Sequence, residues 1–576
     1  MRSPGIAFLV VLFLAQSCAN DDHSTQASPA LSHEFLMNGS NFSNPVLLSE
    51  FVQNPGSVPA SNRFAGRLRL TPTGQAVHFE VLHDEFGLAA PGAASIGELP
   101  PFDFEFVQDG DYLLPVQQGP IASTHPWWEF VLQPGRAWDE ARDNGLTRAV
   151  IPFALKERNA DCIHNGLMGF LFNDAGDVSR VAFQISNQTC KYLQFRMYGL
   201  LNAVYSRVEP ASAATVISNA KQHRDSMLPT RPIAQIAADY PGMDSSQFGS
   251  VGEINPADMS VFGFVIDGIH YVGGCDTPYG TYPYCDQMAL PSYSTAKSLV
   301  GGLGLMLAEK QYPGIRNTLV ADTVNDCSND WDGVTIEHAL DLVTGHYGSA
   351  EPHEDEDSAS SPFFEAESHA GKIDFACNAF PRKSPPGEHW SYQTWGTYLA
   401  GTALNNRLKL LNGNDADFYD DLIVQAVWKP LQLSELMATT RRTYDTVAQP
   451  FTGYGLTMLR DDIAKLVVFL GENDGFIDGA TPLDRNLFDA VKQRVPADPG
   501  MQAETELIRY NNGFRTFDVG GILGCSTSAW LTTLSGYGGI NVVLMPNNTA
   551  YYYFSDGNVH RYLNAVRESH RIRPIC

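Results

Sequence analysis

Ser294 and Lys297 stand three residues apart in Tyr293-Ser294-Thr295-Ala296-Lys297, just ahead of an apolar run. If a helix opens near Ser294, the two side chains share one of its faces. A serine hydroxyl becomes an effective nucleophile when a neighbouring base takes its proton. A buried lysine can be that base, because desolvation lowers an amine's pKa. The Ser294 N–H would then lie among the unpaired donors of the first turn, where developing negative charge is favoured. The tetrad alone is a weak signal that a chain of 576 residues can carry by chance. Its weight depends on what else surrounds it.

Two later segments carry compatible groups. Pro386-Gly387 makes a turn ahead of Tyr392-Gln393-Thr394, and an apolar helix begins near Tyr398. A tyrosine facing Ser294 could share in proton transfer with Lys297; otherwise it fills a pocket. Near the C-terminus, Ser535-Gly536-Tyr537 joins two strand-like runs, and glycine in a strand permits close backbone approach. Metal chemistry is not indicated. Glu337-His338 lacks the second histidine of a His-Glu-x-x-His site, and the acidic run Glu351 to Asp357 matches no spaced calcium loop. That run reads as solvated charge, and the chemistry at Ser294 needs no cofactor.

The elements that must position these groups follow from periodicity. Leu299, Val300, Leu303, Met306 and Leu307 recur at helical spacing, and the three glycines among them predict close packing by other elements. Thr335 can cap a helix running toward Gly345 with Ala339, Leu340 and Val343 on its apolar face. Residues 61–210 alternate like strands and predict a β-rich accessory domain with no catalytic constellation of its own. Its aromatic patch, His125 to Phe130, reads as core, with a ligand platform as the alternative. Residues 20–60, rich in Ser, Asn, Pro and Ala, read as a flexible tether, and 211–250 as a connecting region before a domain at 251–576.

Charge and cysteines bound the setting. A net charge of -26 argues against nucleic acid or anionic membrane surfaces as partners. Arg2 and the apolar run Ile6 to Ala15 fit a signal peptide over 1–19, cleaved after Ser17-Cys18-Ala19. A lipid anchor through Cys18 is the second reading. No other stretch is apolar and long enough to span a membrane. Removing Cys18 from nine cysteines leaves Cys162, Cys190, Cys275, Cys285, Cys327, Cys377, Cys525 and Cys576. An even set in an exported chain suggests disulfides, and sequential pairing keeps each within one sub-region.

Taken in order, Ser294-Thr295-Ala296-Lys297, the Val334-to-Gly345 helix, Pro386-Gly387 before Tyr392, and Ser535-Gly536 before a strand resemble the β-lactamase-related serine hydrolases. That group spans class C β-lactamases, penicillin-binding D-alanyl-D-alanine peptidases and related esterases. The resemblance covers about residues 259–562 and not the β-rich domain. It implies an α/β class fold, a class C β-lactamase-like α/β/α domain with an antiparallel sheet and a helical lobe. It also implies Ser294 as the acylated nucleophile, Lys297 and Tyr392 as acid and base, and the N–H groups of Ser294 and Tyr537 as the oxyanion hole. Thr394, Ser535 and Gly536 would line the substrate. Two departures bear on specificity. Thr394 stands where the family commonly has asparagine, and Leu534 where it commonly has lysine. Both losses disfavour substrates with an acylamide and a carboxylate, so carboxylic-ester hydrolysis is expected. The alternatives are an amide-cleaving peptidase or β-lactamase, with Arg382 or Lys383 replacing the missing cation, and a non-catalytic or polymer-binding protein. The acyl group, the alcohol and the oligomeric state are not encoded in any motif.

Overall fold

The computed structural model describes residues 28–40, 42–71, 77–90, 95–327 and 330–576. The leader Ile6 to Ala15, its cleavage site and Cys18 lie outside the described residues.

A twelve-stranded sheet occupies residues between Val58 and Ser206. Its spine is four consecutive antiparallel strands, Thr147–Glu157, Ile163–Phe172, Val181–Thr189 and Leu193–Ser206. The first two are buried along their whole length, which a sheet allows only when both faces are covered. One face takes Leu31 and Phe51, whose side chains lie against Gly169. Further along the same face, Val131, Ala154 and Ile163 pack on Ala289, Leu436 and Leu459 of the later chain, and the opposite face carries Trp128, His164 and Phe195. The aromatic patch is core: Trp128 and Phe130 are buried.

The second sheet has nine strands. Met259–Ile266 and Ile269–Gly274 form a hairpin beside Thr549–Ser555, followed by Ile540–Met545, Trp530–Gly536, Phe514–Asp518 and Ile508–Asn511. All of these pairs are antiparallel. Successive strand residues point to opposite faces, and the tyrosine run shows it. Tyr551 and Tyr553 join Ala565 and Val566 of the C-terminal helix Leu563–Ile572. Tyr552 and Phe554 face the main core, where the helices Leu303–Gln311 and Thr394–Asn412 lie. The unit is thus α/β, an antiparallel sheet with helices on both faces.

Disulfides join Cys162 to Cys190, Cys275 to Cys285, Cys327 to Cys377, and Cys525 to Cys576. Among the described residues no helix is long and apolar enough to cross a membrane.

Three expectations need correction, and the connecting region gains detail. The described part of the tether is packed: Ser32 caps the helix His33–Asn38, and Leu31, Leu36, Val46, Leu48 and Phe51 are buried. Its polar composition hid five apolar anchors. The connecting region contains a 14-residue helix, Ala213–Ser226. The helix capped by Thr335 ends at Leu340, because Leu342 turns to φ 60°. The acidic run is not a solvated loop. Glu354–Ala359 is helical, Asp355 is buried, and its carboxylate accepts the N–H groups of Gly348 and Ser349 at 2.8 and 2.9 Å.

Candidate active site

The chain reaches Ser294 through a strained turn. Tyr293 has φ 41°, a conformation that costs a bulky residue about 1–3 kcal/mol and persists only where neighbours over-determine it. Here the neighbour is Asp161, from the loop between the strands Thr147–Glu157 and Ile163–Phe172 of the first sheet. Its Oδ2 accepts the Tyr293 N–H at 2.7 Å, the Ser292 hydroxyl at 3.1 Å and the Gly455 N–H at 3.1 Å. Its Oδ1 lies 3.1 Å from Lys156 Nζ. Lys156 in turn donates to the Gly455 carbonyl at 3.1 Å and to Thr457 Oγ1 at 2.9 Å. Both members of this ion pair are buried. Burial draws the Lys156 amine down to about 8, against the opposing pull of Asp161. A second buried pair, Arg441 with Glu129 at 3.1 Å, joins the same two units.

Beyond Ser294 the backbone tightens through Lys297 N–H to the Ser294 carbonyl, then opens into a π-helical stretch, Lys297–Gly302. The α-helix Leu303–Gln311 follows. Such π turns recur at functional sites. The glycines serve close packing. A Cβ on Gly301 would lie 2.8 Å from Leu340 Cδ1, and one on Gly302 would lie 2.5 Å from the Asn512 carbonyl oxygen.

Lys297 is the hub. Its side chain is 1% exposed, and Nζ donates to Ser294 Oγ at 2.8 Å and to Thr394 Oγ1 at 2.8 Å. The Tyr392 ring centroid lies 4.6 Å from Nζ. Among the described residues the Tyr392 hydroxyl makes no hydrogen bond to Ser294 or Lys297, so its contact with the lysine is through the ring. Thr394 opens the 19-residue helix Thr394–Asn412. Its hydroxyl donates to Glu356 Oε1, and its N–H donates to Glu356 Oε2 at 2.8 Å. Burial pushes the Glu356 carboxyl up, opposed by Lys297 and by the two Thr394 bonds.

The strand Trp530–Gly536 ends against the turn at Ser292 and Tyr293. A Cβ on Gly536 would lie 2.9 Å from the Ser292 carbonyl oxygen and 3.2 Å from Tyr293 Cβ, so only glycine permits this approach. Tyr537 follows, its ring 5.9 Å from that of Tyr293 and 6.3 Å from that of Tyr192 in the first sheet. Among the described residues the Ser294 N–H donates to no backbone oxygen. Ser535 Oγ donates to Asn541 Oδ1 at 3.0 Å. Leu534 is a core residue, 2% exposed.

Ser294, Lys297 and Thr394 therefore meet in one hydrogen-bonded chain, Tyr392 covers the lysine, and Gly536 abuts the turn. Arg382 and Lys383 are occupied elsewhere. Arg382 donates to the carbonyls of Asp330 and Asp332, each at 3.0 Å, and Lys383 to that of Gly348. Glu356, Asp161 and Lys156 were missed from sequence. Glu356 sat in a run of charges, and nothing in the spacing of Lys156 and Asp161 marks them. As for metals, Cys162, Cys190 and His164 cluster within 4.8 Å, but the two cysteines are spent in a disulfide.

No family model matches the sequence, and no curated protein does. Solved structures are similar in arrangement at low identity. The D-alanine carboxypeptidase of Burkholderia cenocepacia shares 16% identity over 61% of this chain and 99% of its own, with a TM-score of 0.39. A penicillin-binding protein homologue from Caulobacter crescentus shares 15% over 57% and 94%, at 0.38. A putative β-lactamase from Bacteroides dorei shares 12% over 57% and 99%, at 0.42. Fold does not fix chemistry, so activity is read from the side chains.

Proposed function

We propose that the protein is an exported serine hydrolase of the β-lactamase-related kind, cleaving carboxylic esters through an acyl-enzyme on Ser294. The observation that carries this reading is the 2.8 Å contact between a buried Lys297 Nζ and Ser294 Oγ. In its neutral form Lys297 takes the Ser294 proton as Oγ attacks the ester carbonyl. The tetrahedral oxyanion is received by the N–H groups of Ser294 and Tyr537. Its collapse expels the alcohol, which leaves with the proton held by Lys297, and Tyr392 is the second group able to exchange protons there. Water then attacks the acyl group, Lys297 takes its proton, and Ser294 is regenerated with release of the acid.

Ester rather than amide specificity is supported by what the site lacks. Leu534 is buried, and Arg382 and Lys383 are held by backbone carbonyls, so none of these presents a free cation to a substrate carboxylate. Export is supported by the four disulfides. The test is hydrolysis of a short-chain p-nitrophenyl ester beside a chromogenic cephalosporin, with wild type and Ser294→Ala. Ester turnover lost in the variant, with little cephalosporin cleavage, is expected. Efficient cephalosporin cleavage would move the protein to the amide-cleaving branch.

A further inference from the structure

The mechanism above needs a neutral Lys297, whereas a lysine ordinarily carries its extra proton at neutral pH. Nζ gives hydrogen bonds to two hydroxyls at once, and the Tyr392 ring lies 4.6 Å away. Some group must receive the surplus proton before Ser294 can lose its own.

Among the described residues one continuous path leads away from Nζ on the side opposite Ser294. Lys297 Nζ donates to Thr394 Oγ1, and Thr394 Oγ1 donates to Glu356 Oε1. The second carboxylate oxygen is fixed by the Thr394 N–H at 2.8 Å, at the amino end of the helix Thr394–Asn412. The carboxylate is therefore aimed at the hydroxyl and not free to swing away. Resting on the reading of Ser294 as nucleophile, we infer that Glu356 is the proton acceptor that activates Lys297, acting through the Thr394 hydroxyl.

The step balances. The ammonium of Lys297 passes a proton to Thr394 Oγ1 as that oxygen passes its own to Glu356 Oε1. Charged lysine and carboxylate become neutral amine and carboxylic acid, with no net change in charge. Ser294 then gives its proton to the amine, and the reverse relay resets the pair after deacylation. Lys297 favours the charged form of Glu356, whereas Asp357 on the same helix and Tyr454 across the core oppose it, and burial raises its affinity for a proton. Asp355, its neighbour, is turned to the N–H groups of Gly348 and Ser349 and to the Gln393 amide. Glu356 is a positioning residue in this account, since it touches no reacting atom.

The test is the pH dependence of Ser294 phosphonylation by a fluorophosphonate, followed by intact mass, in wild type, Glu356→Gln, Thr394→Val and Thr394→Ser. Glu356→Gln keeps an acceptor for the Thr394 hydroxyl but cannot take a proton. Its rate near pH 7 should fall about 10²-fold. The acid limb of its profile should move up by about two pH units or more, toward the lysine's own ionisation, with the rate recovering at high pH. Thr394→Val should show the same displaced limb, and Thr394→Ser the wild-type limb. A uniform loss at every pH, or an unshifted limb in either Glu356→Gln or Thr394→Val, overturns the relay. The Thr394 pair decides the matter should Glu356→Gln fold poorly. Labelling of wild type at Ser294 with no limb shift defeats the relay alone; no labelling at Ser294 defeats the nucleophile reading with it.

Discussion

At the residue scale the site is a hydrogen-bonded line, Ser294–Lys297–Thr394–Glu356, with an aromatic lid over its lysine. Removing the hub while keeping its bulk isolates the chemistry. Lys297→Met should lower ester turnover by about 10²–10⁴-fold, measured by steady-state hydrolysis with far-ultraviolet circular dichroism as the check on folding. Turnover within a few-fold of wild type would exclude Lys297 as the base. Ser294 and Lys297 were legible as a pair because their spacing carries chemical meaning, while Thr394 was singled out only by the resemblance, as a substrate-lining residue, and is found bonded to Lys297. Glu356 was not legible, because four consecutive carboxylates look solvated in sequence. Its role appears only when the helix Glu354–Ala359 folds against Thr394.

At the element scale the turn leading to Ser294 is held from the far side by a loop of the first sheet. Asp161 receives three hydrogen bonds around Ser292, Tyr293 and Gly455, and pairs with Lys156. Breaking a buried pair by removing one partner leaves an uncompensated charge and costs about 3–5 kcal/mol. Asp161→Ala should lose about that much in urea unfolding, and Asp161→Ala with Lys156→Met should recover part of it. A double variant no more stable than the single one would show that the ion pair is not the source of the cost. Strand periodicity announced the first sheet, but not its supporting role. That role depends on which loop lands beneath Tyr293, a long-range contact that local patterning does not encode. The shortened helix after Thr335 has a simpler cause: its apolar spacing continued to Val343 while the backbone turned at Leu342.

At the scale of the whole molecule the two sheets share a core. One apolar cluster runs from Leu31 through the first sheet to Phe554. A chain beginning near residue 211 would expose that surface. It should fail to give a cooperative unfolding transition, and a well-folded, active fragment would contradict a shared core. The junction also carries a pH-sensitive contact. Asp556 accepts the Gln194 side-chain amide at 2.9 Å, and burial beside Asp258 pushes its carboxyl up from 3.8 to about 8. A folded-state pKa above the unfolded one means that the folded form holds the proton more tightly. The stabilisation is full below the unfolded value and is lost as pH rises through about 8. Asp556→Asn should flatten that decline, gaining stability over wild type at about pH 8.5 and little at about pH 4 in urea titrations. Equal effects at both pH values would show that Asp556 ionises normally. Sequence separated the two units by composition. It could not show their fusion, because the apolar residues that join them serve equally well as the core of either alone.

The central claim is that Ser294 forms the covalent intermediate. The direct measurement is intact-mass and peptide mapping after reaction with a fluorophosphonate, for wild type and Ser294→Ala. The account predicts a single adduct on the peptide containing Ser294 and none in the variant, with ester turnover lost in parallel. An unmodified Ser294, or an adduct and turnover that survive its replacement, would contradict it.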